Sequence, residues 1–289
     1  MDEFAGKVAV ITGAASGIGR ATAGALAAEG VRLVLADVEE GPLEAAVAQL
    51  KATTEVVGVS ADVSRYEDVV EVGRVAMDTF GALHIAMNNA GVGSGGLSWD
   101  IPLEQWEWVL GVDLWGVIHG VKAFTPLIIA SGGGHVVNTA SMAGLTSPPF
   151  MAPYNVAKHG VVTLSETMFQ ELAMFHPEVG VSVVCPGWVR TRIHESDRNQ
   201  PAPDAATAGG PQAPTGADPT ATAMFRDTLA GLIAGGIDPD DVAALVLDAI
   251  RHRTMYVLTH DDWSSGITDR TARIVAGGDP AMAMLPPND

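Results

Sequence analysis

The sequence of 289 residues predicts a doubly wound α/β fold, a parallel sheet of about seven strands covered by helices on both faces. Three observations predict it. Short runs rich in Val, Ile and Leu recur without strict polar–apolar alternation, as expected of strands buried on both faces. Longer amphipathic stretches separate those runs. Glycines follow several of the stretches, at Gly30, Gly81 and Gly132 to Gly134, where a helix end favours positive φ.

In chain order, strands are expected at Lys7–Thr12, Val31–Ala36, Glu55–Ser60, Leu83–Asn88, Gly134–Ala140, Val179–Cys185 and Met255–Leu258. Helices are expected at Gly17–Glu29, Pro42–Lys51, Tyr66–Phe80, Leu103–Ile129, Ala152–His176 and Pro239–His252. A single domain covers 1–289. Within it, 190–237 is the expected substrate lid region. Its centre, 199–223, is dominated by Pro, Gly and Ala, so it reads either as a plain mobile loop or as an active-site lid. Residues 277–289 read as a loose tail.

Composition narrows the function. Lys plus Arg number 16 and Asp plus Glu 34, a formal charge of −18. So acidic a surface repels phosphate backbones and anionic membranes, so neither nucleic acid nor membrane is an expected partner. Cys185 is the single cysteine, which excludes an intrachain disulfide framework and a Cys-based zinc site. The eight histidines show no metal-ligand spacing, so no metal is expected. No run approaches the ~18 apolar residues of a membrane helix. The opening MDEFAGKVAVITGAASG lacks a signal peptide's basic region. A cytoplasmic globular protein is expected.

The first strand runs into Thr12-Gly13-Ala14-Ala15-Ser16-Gly17-Ile18-Gly19 and then a helix. Gly13 permits a tight exit; Gly17 and Gly19 remove side chains where a pyrophosphate and the helix approach the backbone. The helix N-terminus offers free N–H groups to phosphates. Asp37, just after the second strand, can accept hydrogen bonds from adenosine ribose hydroxyls and repels a 2′-phosphate. No Arg or Lys follows it in Val38-Glu39-Glu40, so NAD(H) is expected over NADP(H). Asp62-Val63 after the third strand suits an adenine contact, although Asp62 equally suits a helix cap. Asn88-Asn89-Ala90-Gly91 reads either as the lip of a ligand crevice or as a plain turn.

Tyr154 and Lys158 stand at i and i+4 on one helix, so phenol and ammonium share a face. The ammonium favours the phenolate, lowering the tyrosine pKa and making Tyr154 a general acid/base. Ser141 closes the fifth strand, where a hydroxyl can hydrogen-bond a substrate oxygen.

With Thr12–Gly19, the Asn-Asn-Ala-Gly at 88–91, Ser141, the Tyr154/Lys158 pair, and Pro186-Gly187 with Thr191 in this order, the chain resembles the short-chain dehydrogenase/reductase (SDR) family. The resemblance is close over about residues 5–195 and looser near Met255–Leu258. It implies a Rossmann-like fold and a bound nicotinamide, held at its carboxamide end by Pro186, Gly187, Val189 and Thr191. It implies that Lys158 binds the nicotinamide ribose and tunes Tyr154, and that Ser141 polarises the substrate oxygen. It also implies a homo-oligomer, a tetramer before a dimer, built on the helices at about 103–129 and 152–176. One position departs. Where the family carries an asparagine that holds a relay water, this chain has Asp113, which keeps the acceptors and loses the amide donor, and which when ionised stabilises the Lys158 ammonium and disfavours a nearby phenolate.

Met142, Leu145, Phe150, Met151, Trp188 and Ile193 are expected to line an apolar substrate pocket, although core packing is the competing use of such residues. The expected activity is therefore NAD-dependent interconversion of a hydrophobic secondary alcohol and its ketone. A second reading is an SDR scaffold that binds dinucleotide without hydride transfer, motivated by Asp113. A serine hydrolase is remote, because Thr139 stands where a G-x-S-x-G elbow needs its first glycine.

Overall fold

The computed structural model describes residues 3–200 and 228–281. Seven strands form one parallel sheet: β1 (Val8–Thr12), β2 (Arg32–Asp37), β3 (Val56–Ser60), β4 (Ile85–Asn88), β5 (Gly134–Thr139), β6 (Val179–Cys185) and β7 (Tyr256–Leu258). Their spatial order is β3-β2-β1-β4-β5-β6-β7. The chain reverses direction between β1 and β4, which opens a crevice at the carboxyl ends of those strands.

Both faces of the sheet are covered along its five inner strands, while the edge strands β3 and β7 are partly exposed. On one face lie α1 (Gly17–Ala28), α2 (Glu40–Leu50) and α8 (Pro239–His252), whose Leu26, Leu43 and Ile250 join Ile11, Leu33 and Leu35 of the sheet. On the other lie α3 (Tyr66–Phe80), α5 (Gly116–Ala130) and α7 (Ala152–Phe175), whose Val72, Phe124 and Met168 cover Val10, Ala86 and Val136. Alternate strand residues feed opposite cores, which is why the strands read as unbroken apolar runs.

The helix expected at Leu103–Ile129 is interrupted. It comprises α4 (Leu103–Leu110), a π-helical turn (Gly111–Trp115) and α5. The extra residue of a π turn rotates the side chains around it, and such turns concentrate at functional sites; this one carries Asp113. The same stretch, Leu103–Ala130, is long and apolar enough to span a membrane by composition, which corrects the sequence expectation that none is. Here Val109, Val117, Phe124 and Ile128 bury it against the protein interior. Two further helices carried no sequence signal, the short α6 (Ala143–Thr146) and α9 (Ser264–Ala276). The centre of the expected lid, and the tail beyond residue 281, lie outside the described residues.

A buried polar chain ties β4, β5 and α7 together. Asn88 Nδ2 donates to Asn138 Oδ1 at 2.8 Å, Asn138 Nδ2 to Ser165 Oγ at 3.0 Å, and Ser165 Oγ to the Val161 carbonyl at 2.7 Å. Helix α5 presses on this chain at Gly120, where a Cβ would fall on the Asn88 carboxamide. Gly120→Ala is therefore expected to cost about 1–3 kcal/mol of stability through overpacking. Urea unfolding reads it as a lowered midpoint; an unshifted midpoint would mean that α5 moves away freely.

Candidate active site

Residues separated by more than 70 positions build the crevice by closing the ends of β1 and β4 on each other. Asn89 and Ala90 donate their backbone N–H groups to Thr12 Oγ1 at 2.9 and 3.1 Å. Asn89 Nδ2 donates to the Thr12 and Gly13 carbonyls at 3.0 and 3.3 Å. This closeness explains two of the glycines. A Cβ on Gly13, at φ +63°, would lie 2.7 Å from Ala90 Cα, and one on Gly19 would strike the Gly13 carbonyl. Gly19 thus serves the loop's own packing and lies behind the cavity wall, whereas Gly13, Ser16, Gly17 and Ile18 line it. Thr191 faces Gly17 from across the crevice, 3.0 Å from where a Cβ would be.

The cavity measures about 280 Å³ and is continuous from this loop to the carboxyl ends of β5 and β6. Asp37 lines one end. Its oxygens accept the Ala15 and Glu39 backbone N–H groups at 2.8 and 3.0 Å. Burial raises its pKa despite those two hydrogen bonds. Asp62 lines the cavity and does not cap α3, whose N-cap is Arg65 with no side-chain cap; its Oδ1 accepts from Ser64 N and Oγ at 2.9 and 2.7 Å in the turn before that helix. Val63, Asn89, Ala90, Gly91, Pro186, Gly187, Val189 and Thr191 all reach the same cavity.

At the middle of the cavity stand Ser141, Tyr154 and Lys158. Ser141 Oγ accepts the Ala143 N–H at 3.1 Å. Lys158 Nζ lies 5.4 Å from the centre of the Tyr154 ring, donates to the Thr139 carbonyl at 3.1 Å, and pairs with Asp113 Oδ2 at 3.3 Å. Lys158 is 2 % exposed and Asp113 fully buried. Asp113 does not touch the cavity; it stands behind Lys158, and its Oδ1 accepts the Val92 N–H at 2.7 Å.

These three groups titrate together. Burial disfavours the Lys158 ammonium, but the Asp113 carboxylate and then Tyr154 outweigh it, and the lysine stays above its ordinary pKa. For Tyr154 burial is the largest influence and raises the pKa; Lys158 and a Ser141 hydrogen bond lower it, while Asp113 raises it again. The net direction is upward, which corrects the expectation of a phenol brought down by its lysine alone. The Asp113 charge acts in the expected direction, supporting the ammonium and opposing the phenolate, while burial raises the carboxyl's own pKa against the pull of Lys158.

The apolar half of the cavity differs from the sequence expectation. Met151, Trp188 and Ile193 line it. Met142 is fully buried in the core beside Val161 and Val183, and Leu145 packs on that same core. Phe150 points outward, 44 % exposed with φ +65°. These three share a segment with Ser141, Ala143, Pro148 and Met151, which do line the cavity; only part of that segment's side chains turn inward. Their places are taken by Pro148, Leu229, Ile233 and Trp263. Trp263 meets Trp188 edge-on, with ring centroids 5.7 Å apart. Pro148 comes from the segment before α7, Leu229 and Ile233 from the end of the expected 190–237 lid region, and Trp263 from after β7, where no local pattern marks it.

Glu39, Arg192 and Arg198 were also missed. Arg198 Nε pairs directly with Glu39 Oε1, and Arg192 Nη1 lies 4.0 Å from Glu39 Oε2. All three line the cavity beside Asp37.

Comparison with known proteins agrees with this construction. The short chain dehydrogenase model matches residues 7–202. The chain is 30% identical to the CLA biosynthesis dehydrogenase/reductase of Lactiplantibacillus plantarum over 99% of both chains. It is 38% identical to the cyclohexanol dehydrogenase of an Acinetobacter species, over 66% of this chain and 76% of that one. A Burkholderia phymatum short chain dehydrogenase/reductase, solved in complex with NAD, superposes with a TM-score of 0.91 at 41% identity, covering 98% of this chain and 99% of that one. A family match across most of the chain, on a seven-stranded sheet whose crevice those matched residues line, makes this chain a member of the short-chain dehydrogenase family.

Proposed function

We propose that this protein is an NAD(H)-dependent oxidoreductase that interconverts a hydrophobic secondary alcohol and its ketone. The observation that carries the reading is the Ser141–Tyr154–Lys158 group facing a cavity whose outer half is apolar. The NAD-bound Burkholderia neighbour and the cyclohexanol-acting relative support it. The residues present fit a dinucleotide. Gly13 and Gly17 keep the loop bare, Ser16 opens α1 with no side chain capping its N–H groups, and Asp37 offers acceptors at the ribose end.

When bound, the nicotinamide supplies the two-electron acceptor or donor. Everything else falls to the protein. In oxidation Tyr154 Oη, as phenolate, takes the alcohol proton; in reduction, as phenol, it gives that proton to the ketone oxygen. Ser141 Oγ, positioned by the Ala143 N–H, hydrogen-bonds the same substrate oxygen. Lys158 is the positive charge that stabilises the phenolate, and Thr139 and Asp113 hold it in place. Trp188, Trp263 and Met151 exclude water around an apolar substrate body. We infer a homo-tetramer as well. Leu103 and Trp115 on one helical run, and Val156 and Phe169 on α7, are large apolar side chains left exposed. A sedimenting mass about four times that of the chain supports this, and a monomer refutes it.

A panel of cyclic and linear secondary alcohols with NAD, followed at 340 nm, tests the activity. Tyr154→Phe is expected to lower turnover by about 10²–10⁴-fold, the range of a lost general acid/base, while NADH still binds. Dinucleotide binding without turnover on any member would instead support a non-redox scaffold.

Asp113 makes a distinct prediction. Oxidation needs the phenolate, so its rate rises with pH. Removing the carboxylate's charge removes an influence that raises the Tyr154 pKa. Asp113→Asn is therefore expected to move the half-maximal pH of oxidation downward, with turnover retained. An unmoved profile would show that Asp113 is not ionised in the working enzyme.

A further inference from the structure

We propose that Glu39 is a cofactor-specificity residue, which holds the guanidinium groups of Arg198 and Arg192 at the ribose end of the crevice and so denies them to a 2′-phosphate. This rests on the NAD(H) reading above and adds to it a determinant that Asp37 does not supply.

The three residues after Asp37, Val38-Glu39-Glu40, contain no cation, yet the structure brings two to it. Arg198 lies in the 3-10 turn Ile193–Asn199, which follows β6, and Arg192 is the residue that precedes that turn. Arg198 and Glu39 are 159 residues apart in the chain and pair directly. The Arg198 fork is fixed at its other end as well, since Nη1 donates to the Arg192 and Glu195 carbonyls at 3.0 and 2.9 Å. Arg192 stands 4.0 Å from Glu39 and pairs through Nε with Glu195 at 2.7 Å. The Glu39 side chain is 14 % exposed and that of Arg198 is 27 % exposed, so the pair is partly sheltered from solvent. Asp37, Glu39, Arg192 and Arg198 all line the one cavity.

The charges decide what this corner accepts. Asp37, Glu39 and Glu195 are three carboxylates against two guanidinium groups. An arriving phosphate brings further negative charge, on the order of two units, and finds both arginines already engaged. Arg side chains are well suited to phosphate because they donate two parallel hydrogen bonds. Neutralising Glu39 leaves Arg198 held in place by its two carbonyl partners with its charge uncompensated. The corner then changes from one that excludes a 2′-phosphate to one that attracts it. Asp37 acts differently, by direct repulsion and by accepting from ribose hydroxyls, and it remains in place throughout.

Calorimetric titration of the full-length protein with NADH and with NADPH tests this on three proteins: wild type, Glu39→Gln, and Glu39→Gln combined with Arg198→Met. Wild type is expected to prefer NADH. In Glu39→Gln the ratio of the NADPH to the NADH dissociation constant is expected to fall about tenfold, the scale of one charge-assisted contact. Adding Arg198→Met is expected to restore the ratio. Melting curves check that each variant is folded, and Glu39→Ala serves as a second neutral variant. An unchanged ratio in both neutral variants, or a changed ratio that survives Arg198→Met, overturns the role of Glu39. Equal affinities in wild type would overturn the NAD(H) preference itself, and binding of neither cofactor would overturn the function on which it rests.

Discussion

The site depends on a buried ammonium. Lys158 lies almost wholly out of solvent, and a lone charge there would cost several kcal/mol. Two oxygens offset that cost, the Thr139 carbonyl and the Asp113 carboxylate. Neither is free to wander. Thr139 ends a central strand that is hydrogen-bonded on both sides, and Asp113 is turned inward by the π turn and fixed by the Val92 N–H. Around them the packing leaves no slack. A Cβ on Gly144 would lie 2.6 Å from the Lys158 carbonyl, which sets how closely α6 meets α7. Sheet, π turn and helix are therefore held in register by one charge, and the tyrosine one turn earlier inherits its position from them.

The second constraint is the closeness of β1 and β4 at their carboxyl ends. Thr12 and Asn89 exchange hydrogen bonds there, and the glycines at 13 and 19 let the chain approach. The crevice is what remains between these ends once the chain reverses direction. It is lined on one side by backbone and small residues suited to a dinucleotide. On the other it is lined by Trp188 and Trp263, which suit an apolar substrate. The two halves meet at Tyr154. Asp113 acts on the charge at that meeting point although it lines neither wall.

Much of this was legible in the sequence, and the legible parts share a physical cause. Every strand and the helices that flank the sheet followed from apolar runs and amphipathic spacing, because a parallel sheet buried on both faces demands them, whereas the π turn within Leu103–Ala130 and the exposed α9 left no such signal. The Tyr154/Lys158 pair, the glycine loop and Asp37 were legible because each is a local pattern: two residues one helical turn apart, a strand meeting a helix, an acid at a strand end. The resemblance to the short-chain dehydrogenases rested on those same local patterns in a fixed order.

Tertiary structure alone decided the rest. It moved Met142 and Leu145 into the core and turned Phe150 outward, while Ser141, Ala143 and Met151 of the same segment face the cavity. It brought Trp263 to the substrate wall and Arg198 to Glu39. It also reversed the expected net shift of the Tyr154 pKa, since burial is a property of the whole packed interior. Local spacing fixes which side chains share a face of one element. Which elements face each other, and how much water remains between them, depends on contacts between residues distant in the chain, and those exist only once the sheet is assembled.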